Sequence, residues 1–167
     1  MAKRLLPSLT DPALQWIKAL HAPTGECMGM ACWTTPGATV HNPFLKSAIK
    51  DYAWDAKMGW TSAEIEEMFA HVSEEEWDVA IVRNNERRAE YFKGEAHWFL
   101  APLCTWPKWQ GRGVGKKLVG WAIERADRTV PVTPVYLESA STARGFYERL
   151  RFEAVGEKTF VRRGKKG

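Results

Sequence analysis

The sequence predicts an α+β fold in which helices flank a sheet. Three observations carry the prediction. Residues 14–33 show two apolar, alternating runs separated by a turn signal. Residues 97–105 (HWFLAPLCT) form an apolar run that leads into the glycine-crowded turn 110–115 and then into a segment of helical period. Residues 135–138 form a short strand-like run followed by a second helical pattern.

The elements follow in order. Residues 13–21 admit two readings. Asp11-Pro12 looks like an N-cap with Pro at the first helical position, whereas Gln15, Ile17 and Ala19 alternate with Trp16, Lys18 and Leu20 at the period of a strand. The turn signal Pro23-Thr24-Gly25-Glu26 and the apolar run from Cys27 to Trp33 favour a hairpin turning at Thr24-Gly25. Residues 34–45, rich in Thr, Pro, Gly and Asn, predict a loop. Thr61 with Glu64, and Ser73 with Glu76, have capping-box spacing, which predicts helices starting near residues 62 and 74. Ile65, Met68 and Phe69 supply the apolar stripe of the first, and Trp77, Ile81 and Val82 that of the second. The acidic run across these segments reads as solvated faces and first turns, where the helix dipole favours negative charge.

Pro102 removes a ladder donor from the 97–105 strand, which demands an edge, a bulge or a local splay there. After the turn, Val114, Leu118, Ala122 and Ala126 recur every four residues, with Val119 and Ile123 beside them. They predict an amphipathic helix of about four turns, ended by Pro131 and Pro134. Residues 142–150 predict a last helix with Phe146, Tyr147 and Leu150 on its apolar side. Residues 152–155 and 159–162 predict a closing pair of strands.

A strand, a glycine-rich turn and a helix together form an anion site, because the first N–H groups of a helix lack internal partners and point outward at its positive end. Gln110, Arg112, Lys116 and Lys117 add donors and charge. The dinucleotide pattern fits Gly111 and Gly113 but puts Lys116 at its third glycine. The nucleotide P-loop pattern fits Gly115-Lys116 but puts Gln110 at its first glycine and Lys117 at its hydroxyl position.

The run Leu103-Cys104-Thr105-Trp106-Pro107-Lys108-Trp109-Gln110-Gly111-Arg112-Gly113-Val114-Gly115 resembles the acetyl-coenzyme A motif of the GNAT acetyltransferase superfamily, [QR]-x-x-G-x-[GA], matched at Gln110, Gly113 and Gly115. Residues 143–153 (ARGFYERLRFE) resemble the last block of that family, a helix with Tyr followed by a Gly-Phe turn. The resemblance covers residues 14–160 of a single domain spanning 1–167, and looks closest to fungal members with a shortened N-terminus. It implies a mixed, mostly antiparallel sheet with flanking helices and the central strand splayed at a bulge.

The resemblance also implies roles. Leu103, Cys104 and Thr105 would lie along the pantetheine arm of acetyl-CoA. Gln110, Gly111, Arg112, Gly113, Val114, Gly115 and Lys116 would hold the pyrophosphate. Ser139 and Ser141 are further contact candidates, with a turn or N-cap role for Ser141 as the alternative. Tyr147 would protonate the leaving thiolate. Glu138 is the candidate base, with a held water or His97 as alternatives. The implied activity is acetyl-CoA-dependent N-acetyl transfer to an amine of a small molecule or protein, with a non-catalytic module binding coenzyme A or a partner protein as the other reading. Two departures stand out: about 13 residues precede the hairpin, and Arg151 occupies the usual glycine of the Gly-Phe turn, where positive φ disfavours any other residue.

Composition agrees with a folded domain: of 167 residues, 45% are hydrophobic and 26% charged. The net charge of +4 invites a nucleic-acid partner. However, residues 158–167 hold five bases and no acid, and the rest carries −1, from 19 bases against 20 acids. The basicity belongs to a tail, so nucleic acid is not the expected partner. No apolar run has the ~18 residues of a membrane span. Three cysteines without CxxC spacing and no export signal predict reduced thiols and a cytoplasmic location. No His/Cys/Asp cluster has metal-ligand spacing. A homo-oligomer is a further expectation: in the family the elements before the hairpin form part of the acceptor site, and a partner chain could supply them.

Overall fold

The computed structural model describes residues 2–40 and 44–164, the side chains of Ala2 and Glu74 excepted. Two compact units emerge, Met1–Leu14 with Thr39–Glu95, and Gln15–Ala38 with Ala96–Gly167.

The first unit is helical. Helix α1 (Ala2–Leu5) continues into a 3-10 turn at Leu6–Thr10. Helices α2 (Ser47–Asp51), α3 (Trp54–Met58), α4 (Ser62–Phe69) and α5 (Glu74–Phe92) follow. Ala48, Ile49, Trp54, Ile65 and Phe69 form its core. The predicted capping box of α4 is complete. The Thr61 N–H donates to Glu64 Oε2 at 2.8 Å, and the Glu64 N–H donates to Thr61 Oγ1 at 3.3 Å. The Lys3 ammonium, 2.8 Å from Glu64, together with the Thr61 donors holds that carboxyl down at about 2.

Helix α5 departs from expectation twice. Ser73 stands at its N-cap, but its side chain makes no cap hydrogen bond. Trp77 and Val82, expected to be buried, are exposed, and the buried side of the helix is carried by Arg88 and Phe92. The stripe is real in period but built partly from a charged residue, whose long apolar stem can be buried.

The second unit holds the sheet. Its strands are β1 (Leu14–Leu20), β2 (Cys27–Thr34), β3 (Trp98–Thr105), β4 (Val135–Glu138), β5 (Glu153–Ala154) and β6 (Thr159–Arg162), in the order β1-β2-β3-β4-β6-β5. The segment 13–21 is thus strand. The Gly25 N–H donates to the His21 carbonyl at 2.8 Å, closing the expected turn. β2/β3, β4/β6 and β5/β6 are antiparallel, and β3/β4 is parallel. Helix α6 (Val114–Ala126) packs its buried stripe, Val114, Leu118, Val119, Ala122 and Ala126, against Ala31, Trp33, Leu100, Val135 and Leu137 of the sheet. The predicted last helix begins as a 3-10 turn at Ser141–Ala143 and becomes helix α7 over Arg144–Arg149. Arg151 follows at φ 66°, so the turn keeps its left-handed geometry with Arg in place of Gly.

The expected basic tail is only partly a tail. Residues 159–162 form β6, and Arg162, 3% exposed, donates to both oxygens of Asp127 at 2.7 and 2.8 Å. Lys165 and Lys166 lie outside the described residues. Among the described residues no helix is long and apolar enough to cross a membrane.

Gly29 fixes the spacing of β2 and β3. A Cβ there would sit 2.5 Å from the Cys104 carbonyl oxygen and 3.2 Å from the Thr105 Cα. Backbone cannot swing aside as a side-chain tip can. Gly29→Ala is therefore expected to destabilise the protein by about 2 kcal/mol, read as a lower denaturant midpoint at unchanged slope.

Candidate active site

The register of β3 creates the site. Ala31 pairs with Leu103 and Trp33 with Leu100, so two steps on β2 face three on β3. The extra residue is a bulge at Ala101-Pro102, where Pro102 brings no ladder donor. On its other side β3 pairs with β4 only through Leu100, opposite Leu137. Beyond that point the two parallel strands part. The bulge also resets the alternation: Trp98 and Leu100 face α6 before it, and Leu103 and Thr105 do so after it.

A cleft of about 670 Å³ opens on this side. Of the residues singled out from the sequence, Leu103, Thr105, Gln110, Gly111, Gly113, Val114, Gly115, Lys116, Ser139 and Tyr147 line it. Cys104, Arg112, Glu138 and Ser141 do not. Cys104 lies between two lining residues and so points to the opposite face. Trp109, Ala143, Phe146 and Arg149 complete the wall.

The turn is set for an anion. Gly111 and Gly113 stand at φ 72° and 78°, and Gly113 is the N-cap of α6. The first helical bond runs from the Lys117 N–H to the Gly113 carbonyl at 3.1 Å, leaving the N–H groups of Val114, Gly115 and Lys116 without partners inside the helix. A Cβ on Gly113 would meet nothing within 4 Å, so the space before the turn is open. Gln110 donates from Nε2 to the Thr105 carbonyl at 3.2 Å, which ties the turn back to the end of β3. Trp109 is flanked by Arg112, 5.3 Å from its ring centroid, and by His21, whose ring lies 4.7 Å away. Lys108 pairs with Glu26, and this hydrogen bond leads the causes that hold the Glu26 carboxyl below its usual range.

Tyr147 is 5% exposed and packs among Phe146, Phe152 and Phe160. Burial pushes its phenol above the usual value near 10, against the smaller opposing effect of a hydrogen bond with Ser139. Glu138 sits on the other face of β4. Val135 and Leu137 point to α6, while Tyr136 and Glu138 alternate with them, and the Tyr136 hydroxyl donates to Glu138 Oε1 at 2.9 Å. His97 lies ahead of Trp98, at the paired end of β3 and away from the gap. Ser141 opens the 3-10 turn before α7; the N-cap there is Ala140.

A family model described as an acetyltransferase (GNAT) domain matches residues 44–166. The chain belongs to the GNAT acetyltransferase family. No curated protein matches it at a significant level. Solved structures agree with this GNAT domain in fold. The histone acetyltransferase HPA2 and related acetyltransferase from Corynebacterium glutamicum is 21% identical, with a TM-score of 0.51 over 95% of this chain and 68% of the other. The mosquito arylalkylamine N-acetyltransferase-like 5b is 12% identical, with a TM-score of 0.55 over 88% and 73%. Arabidopsis thaliana NAA60, solved in complex with acetyl-CoA, is 11% identical, with a TM-score of 0.51 over 96% and 81%. Neither the expected closeness to fungal members nor the expected shortening of the N-terminus draws support from these relatives.

Proposed function

We propose that this GNAT domain, acting as one unit over residues 1–167, is an acetyl-CoA-dependent N-acetyltransferase that works by direct attack of an amine on the thioester. The observation that carries this reading is the gap where β3 leaves β4 beyond Leu100, because it opens onto the cleft lined by the glycine turn and Tyr147.

The residues fit the co-substrate. The free N–H groups of the α6 first turn, with Lys116 beside them, offer donors and positive charge to a pyrophosphate. The backbone of residues 101–104, beyond the last β3/β4 pair, offers a strand edge to an amide-bearing pantetheine arm, as an extended peptide is taken up by a sheet edge. Leu103 and Thr105 face that arm. In the reaction the amine nitrogen bonds to the thioester carbonyl carbon and the carbon–sulfur bond breaks. Tyr147, protonated at neutral pH, gives its proton to the departing sulfur. Glu138, or a water it holds, takes the proton released by the amine from the other side of the strand. The acceptor is an amine of a small molecule or of a protein.

Titration calorimetry with acetyl-CoA and a thiol-release assay over a panel of small amines and peptide N-termini test the reading together. Binding followed by release of coenzyme A is expected. The absence of binding at high micromolar ligand overturns it, and binding without turnover on any acceptor assigns the chain to the non-catalytic reading instead.

A further inference from the structure

A second groove, of about 280 Å³, runs between α6 and α7 and is lined by Lys116, Gly120, Glu124, Arg149, Arg151 and Arg162 among others. It adjoins the cleft, since Lys116 and Arg149 line both. Its charge is one-sided. Arg162 is matched by Asp127. Among the described residues, Lys116, Arg149 and Arg151 form no ion pair, and they face the single carboxylate of Glu124.

Two residues on this groove are held there against local stability. Arg151 adopts φ 66°, at a position after a helix where glycine is the relaxed choice. Its turn is fully formed, with the Arg151 N–H bonded to the Glu148 carbonyl at 2.9 Å and the Phe152 N–H to the Tyr147 carbonyl at 3.1 Å, so nothing else in the turn requires Arg. Gly120 sits in the middle of α6, where alanine is the better helix former. A Cβ on it would meet nothing within 4 Å, so no close packing calls for glycine. One substitution puts a guanidinium at the groove and the other keeps its floor bare. Unfavourable backbone choices that converge on one place point to a ligand.

We propose that this groove binds a phosphate monoester and that, in the reading above, the monoester is the 3′-phosphate of coenzyme A, with Arg151 as its chief selector. A molecule whose pyrophosphate rests on the 111–116 turn carries its ribose phosphate toward the residues shared by the two depressions. Arg149 and Arg151 present planar donor forks to a dianion, and Lys116 adds a point charge. Arg151 thus separates coenzyme A from forms lacking that phosphate.

The test is calorimetry of the full chain with coenzyme A and with 3′-dephospho-coenzyme A. Wild type is expected to prefer coenzyme A by about tenfold or more. In Arg151→Gly the preference falls to about twofold, while affinity for the dephospho form stays the same. Glycine relieves the backbone at 151, so the variant is expected to melt no lower than wild type. Equal affinity of wild type for the two ligands overturns the proposal, as does an unchanged preference in Arg151→Gly. If wild type binds neither ligand, the acetyl-CoA reading itself fails and this inference falls with it.

Discussion

Gly113→Glu is expected to abolish measurable acetyl-CoA binding. Gly113 is the N-cap of α6 at φ 78°, directly before the three N–H groups proposed to hold the pyrophosphate. The space around its missing Cβ is open, so a carboxylate can stand there without steric collision, in the place of the ligand. It competes for the same donors and repels the diphosphate. A loss of about 3 kcal/mol, or a hundredfold or more in Kd, is the expected scale. The left-handed backbone adds about 1–2 kcal/mol of destabilisation. Gly113→Ala carries that backbone cost without the charge, and is the control. Calorimetry should show the alanine variant binding and the glutamate variant silent, with both melting at similar temperatures. Unchanged affinity in Gly113→Glu would remove the pyrophosphate from this turn.

The glycine turn was legible in the sequence because its geometry demands particular residues. Positive φ at two positions selects glycine, and helix α6 repeats its buried residues every turn. The hairpin was legible for a similar reason, since Ile17 and Ala19 pack inward while Lys18 and Leu20 do not. Helix α5 departs from its expected stripe where hydropathy and burial part company: Trp77 and Val82 are exposed, and Arg88 is buried. Helices α1 to α3 have only four or five residues each, too few to show a period. Segment 159–162 was masked by its charge. Arg162 reads as a tail residue until Asp127, 35 positions earlier, is seen to meet it.

The site was legible where it is local and obscure where it is assembled. Residues 103–116 form one continuous motif. Ser139 reaches the cleft from the end of β4, and Phe146 and Arg149 reach it from α7, inside the second family-like block, where only Tyr147 is given a role. For Ser139 a signal existed, because it continues the Val135–Leu137 alternation beyond the end of β4. Cys104 shows the opposite case: it sits inside the motif, yet the phase set by the bulge turns its side chain away from the cleft. One proline announces that a break exists. It does not say on which side of the break each neighbour will face.

Tyr147→Phe is the sharpest test of the chemistry. The substitution keeps the ring that packs against Phe146, Phe152 and Phe160 and removes only the hydroxyl. Removal of this buried hydroxyl is expected to lower stability by about 1 kcal/mol, leaving the protein folded. Affinity for acetyl-CoA should hardly change, because the hydroxyl is assigned to the departing sulfur and not to the bound ground state. Turnover should fall by about 10². The lower end of the range for an acid catalyst applies, since an alkyl thiol with a pKa near 8.5 is already a fair leaving group. The pH profile separates acid catalysis from packing. An acid must carry its proton, and burial raises the Tyr147 phenol, so the alkaline fall in wild-type rate that belongs to this group should begin only above pH ~10. In Tyr147→Phe that fall should disappear from the chemical step while the rate at neutral pH drops. A variant with reduced affinity and unchanged turnover would instead assign Tyr147 to the wall of the cleft. A variant that kept both would leave the thiolate to be protonated by solvent.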